Sequence, residues 1–287
     1  LYGPLALTNT LSVGTVRDAL IAWSRDRGLP SDVLRGRTKP VVSETWDGRL
    51  NDVYGQHVTA EDAWTALDAA RSGPLAEGNV GGGTGMIAFD FKAGTGTASR
   101  RVDHPLGGFL LGALVQANFG RRSQLRIAGV PVGRELSDPA PRWPSDVVAP
   151  AGTHPTDPGP QGDGSIVVIL ASDAPLLPFQ LNALAKRAAL GLGRVGSIAA
   201  TSSGDLFLAF STSNRSRYGQ RTLRRVDALP TESLDPLFEA VVETVEEAIV
   251  NALAAAESMT GVRGAYVPAL PHDAVREVLA RYGRARA

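Results

Sequence analysis

Residues 162–171 read Gly-Asp-Gly-Ser-Ile-Val-Val-Ile-Leu-Ala, and this stretch joins two regions of opposite character. Before it, residues 139–164 contain seven prolines and several glycines, a composition that disfavours helix and sheet alike and predicts a linker. After it, the unbroken apolar run that starts at Ile166 predicts a buried strand. The chain therefore changes from flexible to rigid at Gly164–Ser165, and a serine takes the first position of the strand.

The residues alone leave two interpretations of Ser165 open. Glycine and serine often precede a strand, so the junction is typical of an ordinary turn. Alternatively, the hydroxyl of Ser165 attacks the carbonyl of Gly164, and hydrolysis of the resulting ester leaves Ser165 as a new amino terminus. Its α-amine, with an ordinary pKa of ~7.7–8.0, would then be a base beside its own hydroxyl.

Helical and strand patterns surround this junction on both sides. Helices are predicted at 12–23, 62–71, 179–192, 237–257 and 273–282, and strands at 86–92, 109–118, 165–171 and 206–212. In the strand at 86–92, alternation places Ile87, Phe89 and Phe91 on one face and Asp90 and Lys92 on the other. Helices that flank a β-rich middle with short connections predict an α/β or α+β domain with a largely antiparallel sheet, layered helix–sheet–sheet–helix.

The composition excludes several classes of function. The 287 residues include no cysteine, which excludes disulfides, thiolate catalysis and cysteine-ligated metals. Lys+Arg and Asp+Glu are 29 each, a balance that gives no electrostatic footprint for nucleic acid. No apolar run reaches the ~20 residues that span a bilayer, so no membrane partner is expected.

Several candidate motifs fail in detail. The glycine cluster at 81–85 lacks the Lys-Ser/Thr ending of a phosphate loop, so we expect a turn there. The histidines stand singly, with no metal-ligand spacing, at His57, His104, His154 and His272. A histidine-based triad would also need a Gly-x-Ser-x-Gly elbow, which the chain lacks. We therefore expect neither a metal nor another cofactor.

Short motifs spread over nearly the whole chain share their order with a known family. They lie at 7–10, 12–14, 44–48, 50–52, 115–120, 162–165, 203–210, 247–249, 251–252 and 259–261. Together they resemble the DmpA-type L-aminopeptidase/D-esterases, self-processing serine hydrolases related to the β-peptidyl aminopeptidases.

The resemblance implies a fold and an activity. It implies a four-layer αββα sandwich like that of N-terminal nucleophile hydrolases, with different connectivity. A precursor would be cut into residues 1–164, which include the linker, and residues 165–287, and the two fragments would stay together as one domain. The enzyme would release amino-terminal residues from small peptides, amides or esters, and it would assemble as a homo-oligomer of such heterodimers.

The resemblance also assigns roles to residues. Ser165 would be the nucleophile and Gly164 the residue before the cut. The side-chain amide of Asn118 would stabilise the oxyanion, while Ser203 and Asp205 would orient the nucleophile and its amine. From residue types alone, a strand-end asparagine and a Ser-Gly-Asp turn have ordinary structural explanations as well.

Two further residues concern the substrate. Glu44 would bind its ammonium group, although a solvated surface acid is equally consistent with the residue type alone. Trp46 would line the pocket where relatives commonly have tyrosine, and Asp205 stands where some have glutamate. These departures leave an alternative open, namely a non-peptidase or catalytically impaired binding member of the same fold.

The amino-terminal end constrains the location of the protein only weakly. Leu1 is not an initiator methionine, and residues 1–7 carry no basic region that would indicate a signal peptide. We expect a cytoplasmic protein, with a periplasmic or secreted one left open. The resemblance also implies a longer amino-terminal region before Thr8.

Overall fold

The computed structural model describes residues 3–27, 39–105, 107–144, 164–215, 222–223 and 225–284. The predicted linker at 139–164 falls largely outside this part of the chain, and His154 does so entirely. The helices are α1 Val13–Asp26, α2 Ala60–Asp68, α3 Val132–Glu135, α4 Pro178–Arg194, α5 Asp235–Ala254 and α6 His272–Arg281. The strands are β1 Leu5–Asn9, β2 Val41–Thr45, β3 Ile87–Ala88, β4 Phe91–Lys92, β5 Thr95–Val102, β6 Phe109–Asn118, β7 Ser165–Ser172, β8 Leu206–Ser211, β9 Met259–Thr260 and β10 Tyr266–Val267.

A four-stranded sheet in the order β5-β6-β7-β8 forms the centre of the molecule. The first two pairs are antiparallel, and β8 runs parallel to β7. Consecutive residues 166–170 of strand β7 are all buried, so both faces of the strand lie against protein, which explains its uninterrupted apolar run. One face of the sheet packs in the main core through alternate residues of β6 and β7, namely Leu111, Ala113, Val115, Ala117, Ile166, Val168 and Leu170.

Helices α4 and α5 cover that face of the sheet. Helix α5 is buried along most of its length and contributes Val241, Val245 and Ile249 to the core, together with Leu184 of α4. No helix in the described ranges combines the length and apolar character needed to cross a bilayer.

The other face of the central sheet meets a second, smaller sheet. Its strands β1 and β2 are parallel, and helices α1 and α2 cover their outer side through a cluster that includes Leu20, Ala63 and Val42. On the inner side, Gln116 of β6 donates from Nε2 to the Thr8 carbonyl and to Thr45 Oγ1, at 2.9 and 2.7 Å. The layers are therefore α–β–β–α, and the predicted fold class is confirmed.

The strand predicted at 86–92 is wrong, because this segment is a hairpin. Phe89 and Asp90 turn the chain between β3 and β4 with φ angles of 54° and 60°. The Arg122 guanidinium holds the turn by donating to the carbonyls of both residues, at 3.2 and 2.8 Å. As a consequence Lys92, grouped with Asp90 on one face of the predicted strand, is fully buried. Alternation of residue types does not reveal a chain reversal after two residues.

Candidate active site

Ser165 and Asn118 lie directly opposite each other at one edge of the central sheet. Asn118 is the last residue of β6, Ser165 is the first residue of β7, and the antiparallel register pairs them. Ile166 and Ala117 point to the helical side, so their neighbours Ser165 and Asn118 point toward β1 and β2. The nucleophile and oxyanion residues named from the sequence thus share one face of two adjacent strands.

The loop before β8 contacts the start of β7 through two hydrogen bonds, and a third bond within the loop holds Asp205. The backbone N–H of Gly204 donates to Ser165 Oγ at 2.9 Å. Asp205 Oδ1 accepts from the backbone N–H of Ile166 at 3.2 Å and from Ser203 Oγ at 2.6 Å. The structure therefore brings Ser203 and Asp205 to Ser165, and a carboxylate anchors the first amide after the serine.

The side chain of Asn118 is held in one orientation. Its Oδ1 accepts from the Ile87 backbone N–H and its Nδ2 donates to the Trp46 carbonyl, each at 2.9 Å. If the carboxamide were rotated by 180°, its Nδ2 would face the Ile87 N–H and its Oδ1 would face the Trp46 carbonyl. These two partners therefore determine which side-chain atom is oxygen and which is nitrogen. One of the two Nδ2 hydrogens is committed to Trp46, which leaves the second to donate to a ligand.

An open cleft borders Asn118. Its empty volume is about 400 Å³ including the part open to solvent, and it is lined by Trp46, Arg49, Gly85, Ile87, Asp90, Asn118, Phe119 and Gly120. Trp46 is 47% exposed, so its indole offers an apolar wall to a molecule that enters. The expected pocket residue therefore does border the cleft.

Glu44 lies near this cleft but is not part of its lining. It belongs to β2, two residues before Trp46, and its carboxylate accepts a hydrogen bond from Thr10 Oγ1. It does not line the cleft, and within the described part of the chain no hydrogen bond connects it to Ser165. The structure thus places Glu44 on the strand that leads to the site, and its role stays a prediction.

A buried carboxylate organises the loop that carries Trp46. Asp47 accepts from Asn9 Nδ2 at 3.1 Å and from Asn51 Nδ2 at 2.9 Å. Three of the sequence motifs, around Asn9, Asp47 and Asn51, therefore meet at one point. Their shared function is to hold the loop whose Trp46 carbonyl orients Asn118.

Position 164 requires glycine because there is no space for a side chain, and not because its backbone is left-handed. A Cβ atom at this position would lie 2.0 Å from the carbonyl oxygen of Asn118, far inside contact distance. Glycine therefore permits a close approach of two backbones at this position. The bond between Gly164 and Ser165 consequently lies against the end of β6.

Sequence reasoning missed several contributors to the site. The N–H groups of Gly204 and Ile87 are backbone donors, which leave no signature in residue type. Thr10 lies inside one of the recognised motifs, which is the only signal that could have indicated it. Among the residues that the structure describes, no group of three His, Cys, Asp or Glu side chains could hold a metal ion.

Comparisons with known proteins agree with this arrangement. Residues 1–267 match the sequence profile of peptidase family S58. The β-peptidyl aminopeptidase BapA of Sphingosinicella microcystinivorans is 48% identical over 285 residues, which are 98% of this chain and 70% of that protein. The solved structure of a Burkholderia sp. β-aminopeptidase has a TM-score of 0.84 and 45% identity, with 100% of this chain and 76% of that one covered.

A second solved structure bears on the fold. The L-aminopeptidase D-Ala-esterase/amidase of Ochrobactrum anthropi has a TM-score of 0.84 and 43% identity, with 97% of this chain and 73% of that one covered. It is described as a prototype for the serine aminopeptidases and as a new variant among the N-terminal nucleophile hydrolase fold.

The layered fold is that of the N-terminal nucleophile hydrolases. The chain belongs to peptidase family S58, and it is an aminopeptidase.

Proposed function

We propose that this aminopeptidase matures by cleaving itself between Gly164 and Ser165 and then uses Ser165 as an amino-terminal nucleophile. The observation that carries the proposal is the placement of Ser165 at the start of β7, opposite Asn118 and with its Oγ bonded to the Gly204 N–H. The fragments 1–164 and 165–287 remain one domain, because β7 pairs with β6 across the cut and both contribute to one core.

Maturation proceeds by an acyl shift. Ser165 Oγ attacks the Gly164 carbonyl carbon, its proton passes to the Ser165 nitrogen, and the C–N bond breaks to leave an ester on Oγ. Water then hydrolyses the ester, which releases the Gly164 carboxylate and regenerates the hydroxyl beside a free α-amine. The Gly204 N–H, bonded to Oγ, favours the alkoxide character that develops during the attack.

Turnover uses the same hydroxyl. The α-amine of Ser165 accepts the hydroxyl proton while Oγ attacks the substrate carbonyl, and the proton passes on to the leaving amine, which leaves an acyl-enzyme ester on Oγ. Water then hydrolyses this ester, which releases the carboxylic acid and regenerates the hydroxyl. The uncommitted N–H of Asn118 donates to the oxyanion, a contribution of ~2.7–4 kcal/mol at comparable sites. Because Ser203 donates its hydroxyl hydrogen to Asp205, its oxygen lone pairs are available to orient the Ser165 amine.

The substrates are small peptides, amides or esters with a free amino terminus. Glu44, held by Thr10, is proposed to pair with the substrate ammonium, and Trp46 provides the apolar wall beside the reacting carbonyl. The similarity to a β-peptidyl aminopeptidase supports amino-terminal β-residues among these substrates. A homo-oligomer of cleaved heterodimers is part of the proposal, on the ground of the family resemblance.

Intact-mass spectrometry of the purified protein tests the proposal. The parent chain is expected to give two fragments that meet at Gly164/Ser165, and Ser165→Ala is expected to remain uncut. Cleavage of Ser165→Ala at the same bond would contradict self-processing. A chain that is cut but does not hydrolyse any of a panel of α- and β-aminoacyl p-nitroanilides would support the binding-protein alternative instead.

A further inference from the structure

Lys92 has a buried ammonium group close to the candidate active site. Its side chain is fully buried in strand β4. Its Nζ donates to the carbonyls of Gly83, Met86 and Ala93 at 3.3, 2.9 and 2.6 Å. No carboxylate pairs with it among the described residues, and the proposed mechanism does not use it.

The three acceptors match the charged form of this side chain. An ammonium has three N–H donors, whereas a neutral amine would turn its lone pair toward one of the three carbonyl oxygens. Burial opposes the charge and lowers the pKa of Lys92 to about 7. Lysine is rare here, with three residues in the whole chain, although Lys+Arg is 29.

One peptide group connects Lys92 to Asn118. The carbonyl of Met86 accepts from Lys92 Nζ at 2.9 Å. The N–H of the same peptide unit belongs to Ile87 and donates to Asn118 Oδ1 at 2.9 Å. The amide of Asn118 then donates to the Trp46 carbonyl, so the bonds run in one direction from the ammonium to the end of β6.

We propose that Lys92 is a positioning residue for hydrolysis, which polarises and fixes the Met86–Ile87 peptide so that this peptide holds the Asn118 amide toward the oxyanion. Below its pKa of about 7 Lys92 carries its charge, and a cation at the carbonyl end of a peptide strengthens the donor at its other end, because hydrogen bonds in series polarise one another. Above that pH the neutral amine still has two N–H donors that hold the peptide in place. A tighter bond to Oδ1 restricts rotation of the carboxamide and keeps its free N–H in place. The inference rests on the role of Asn118 in the proposed function.

A purely structural role for Lys92 makes a different prediction. The same ammonium joins the glycine turn at 81–83 to the β3–β4 hairpin, so its loss lowers the free energy of unfolding in either case. If Lys92 is a positioning residue, its loss also lowers kcat and leaves KM unchanged. This effect on kcat disappears when Asn118 is absent.

A double-mutant cycle distinguishes the two roles. Lys92→Met, Asn118→Ala and the double variant are assayed on an aminoacyl p-nitroanilide below their unfolding temperatures. Rates are normalised to the fraction of chains with a free Ser165 amine, measured by intact mass. Gln180→Met is the matched control, because Gln180 is also a buried side chain that donates to a backbone carbonyl, that of Leu229 at 2.7 Å, but it lies on α4.

We expect Asn118→Ala to lower kcat by ~10²–10³-fold and Lys92→Met to lower it by ~10–100-fold with KM unchanged. Adding Lys92→Met to Asn118→Ala is expected to cause no further loss, and Gln180→Met is expected to lower stability with kcat unchanged.

The outcomes separate this inference from the proposed function. Equal losses from Lys92→Met with and without Asn118, or lower stability with normal kcat, would overturn the positioning role and leave the function intact. Normal kcat in Asn118→Ala, with none in Ser165→Ala, would instead remove the oxyanion role of Asn118. If Lys92→Met does not fold, Lys92→Gln enters the same cycle, since it keeps two donors without the charge. If neither folds, Lys92 serves the fold alone and the proposal is wrong.

Discussion

Replacing Gly164 by alanine is expected to slow maturation without impairing the mature enzyme. The new Cβ would lie 2.0 Å from the Asn118 carbonyl oxygen, whereas carbon–oxygen contacts of this kind are ~3.3 Å or longer. The backbone at the scissile bond must therefore move by about 1 Å, because the opposing atom belongs to the end of a paired strand. A displacement of ~1 Å can cost ~10²-fold in a reaction that depends on the approach of two groups.

The assay follows intact mass over time after rapid purification at low temperature. Gly164→Ala is expected to accumulate as a full-length chain whose cleavage is about 100-fold slower than that of the parent. Gly14→Ala is the matched control, because nothing lies within 4 Å of a Cβ at that helical position. Chains of Gly164→Ala that do become cut should hydrolyse substrate at the parent rate. Cleavage of Gly164→Ala as fast as that of Gly14→Ala would refute the steric argument.

Three other predictions follow from the site and its surroundings. Glu44→Gln should still process itself but lose ~10–100-fold in kcat/KM on free-amine substrates, roughly 1.4–3 kcal/mol; an unchanged ratio between free and amino-acetylated substrates would exclude Glu44 as the ammonium ligand. Burial lowers the pKa of Lys92 to about 7 in the folded chain, whereas its ordinary pKa of ~10.4 applies to the unfolded chain. Between these two pH values the unfolded chain keeps the Lys92 proton and the folded chain has lost it. Stability therefore rises with pH in that window, and urea unfolding should show a gain of about 2 kcal/mol from pH 7 to pH 9 relative to Lys92→Met; parallel pH profiles would contradict a depressed pKa. Hydrolysis should survive exhaustive treatment with EDTA, and activity that is lost and then restored by zinc would contradict a serine mechanism.

Much of the fold was accessible from local pattern. The apolar run of β7 and the boundaries of β6 follow from burial and β-propensity within a few consecutive residues, and so do the amphipathic periods of α1, α4 and α5. The same reasoning placed Ser165 at the junction of a linker and a strand. Its assignment as a nucleophile rather than a turn residue depended on the resemblance, because a Gly-Ser pair carries no chemical signal of its own.

The hairpin at β3 and β4 shows where local pattern ends. Residues 86–92 alternate as a strand does, yet the chain reverses at Phe89 and Asp90 because Arg122, distant in sequence, binds their carbonyls. The reversal places Lys92 in the interior, where backbone carbonyls in place of water accept its hydrogen bonds. Residue type gives no indication of this burial, since charged side chains are rarely buried without a carboxylate partner.

The sequence by itself determined the classes of residue at the site and excluded cysteine chemistry. Only the tertiary structure decided that Asn118 faces Ser165, that the Gly204 N–H contacts the serine hydroxyl, and that Ile87 orients the amide. The physical reason is that strand register and backbone donors depend on how segments far apart in the chain pack together. A side chain leaves its mark in the sequence at its own position, whereas a backbone N–H is present at every residue except proline and acquires a role only through its neighbours.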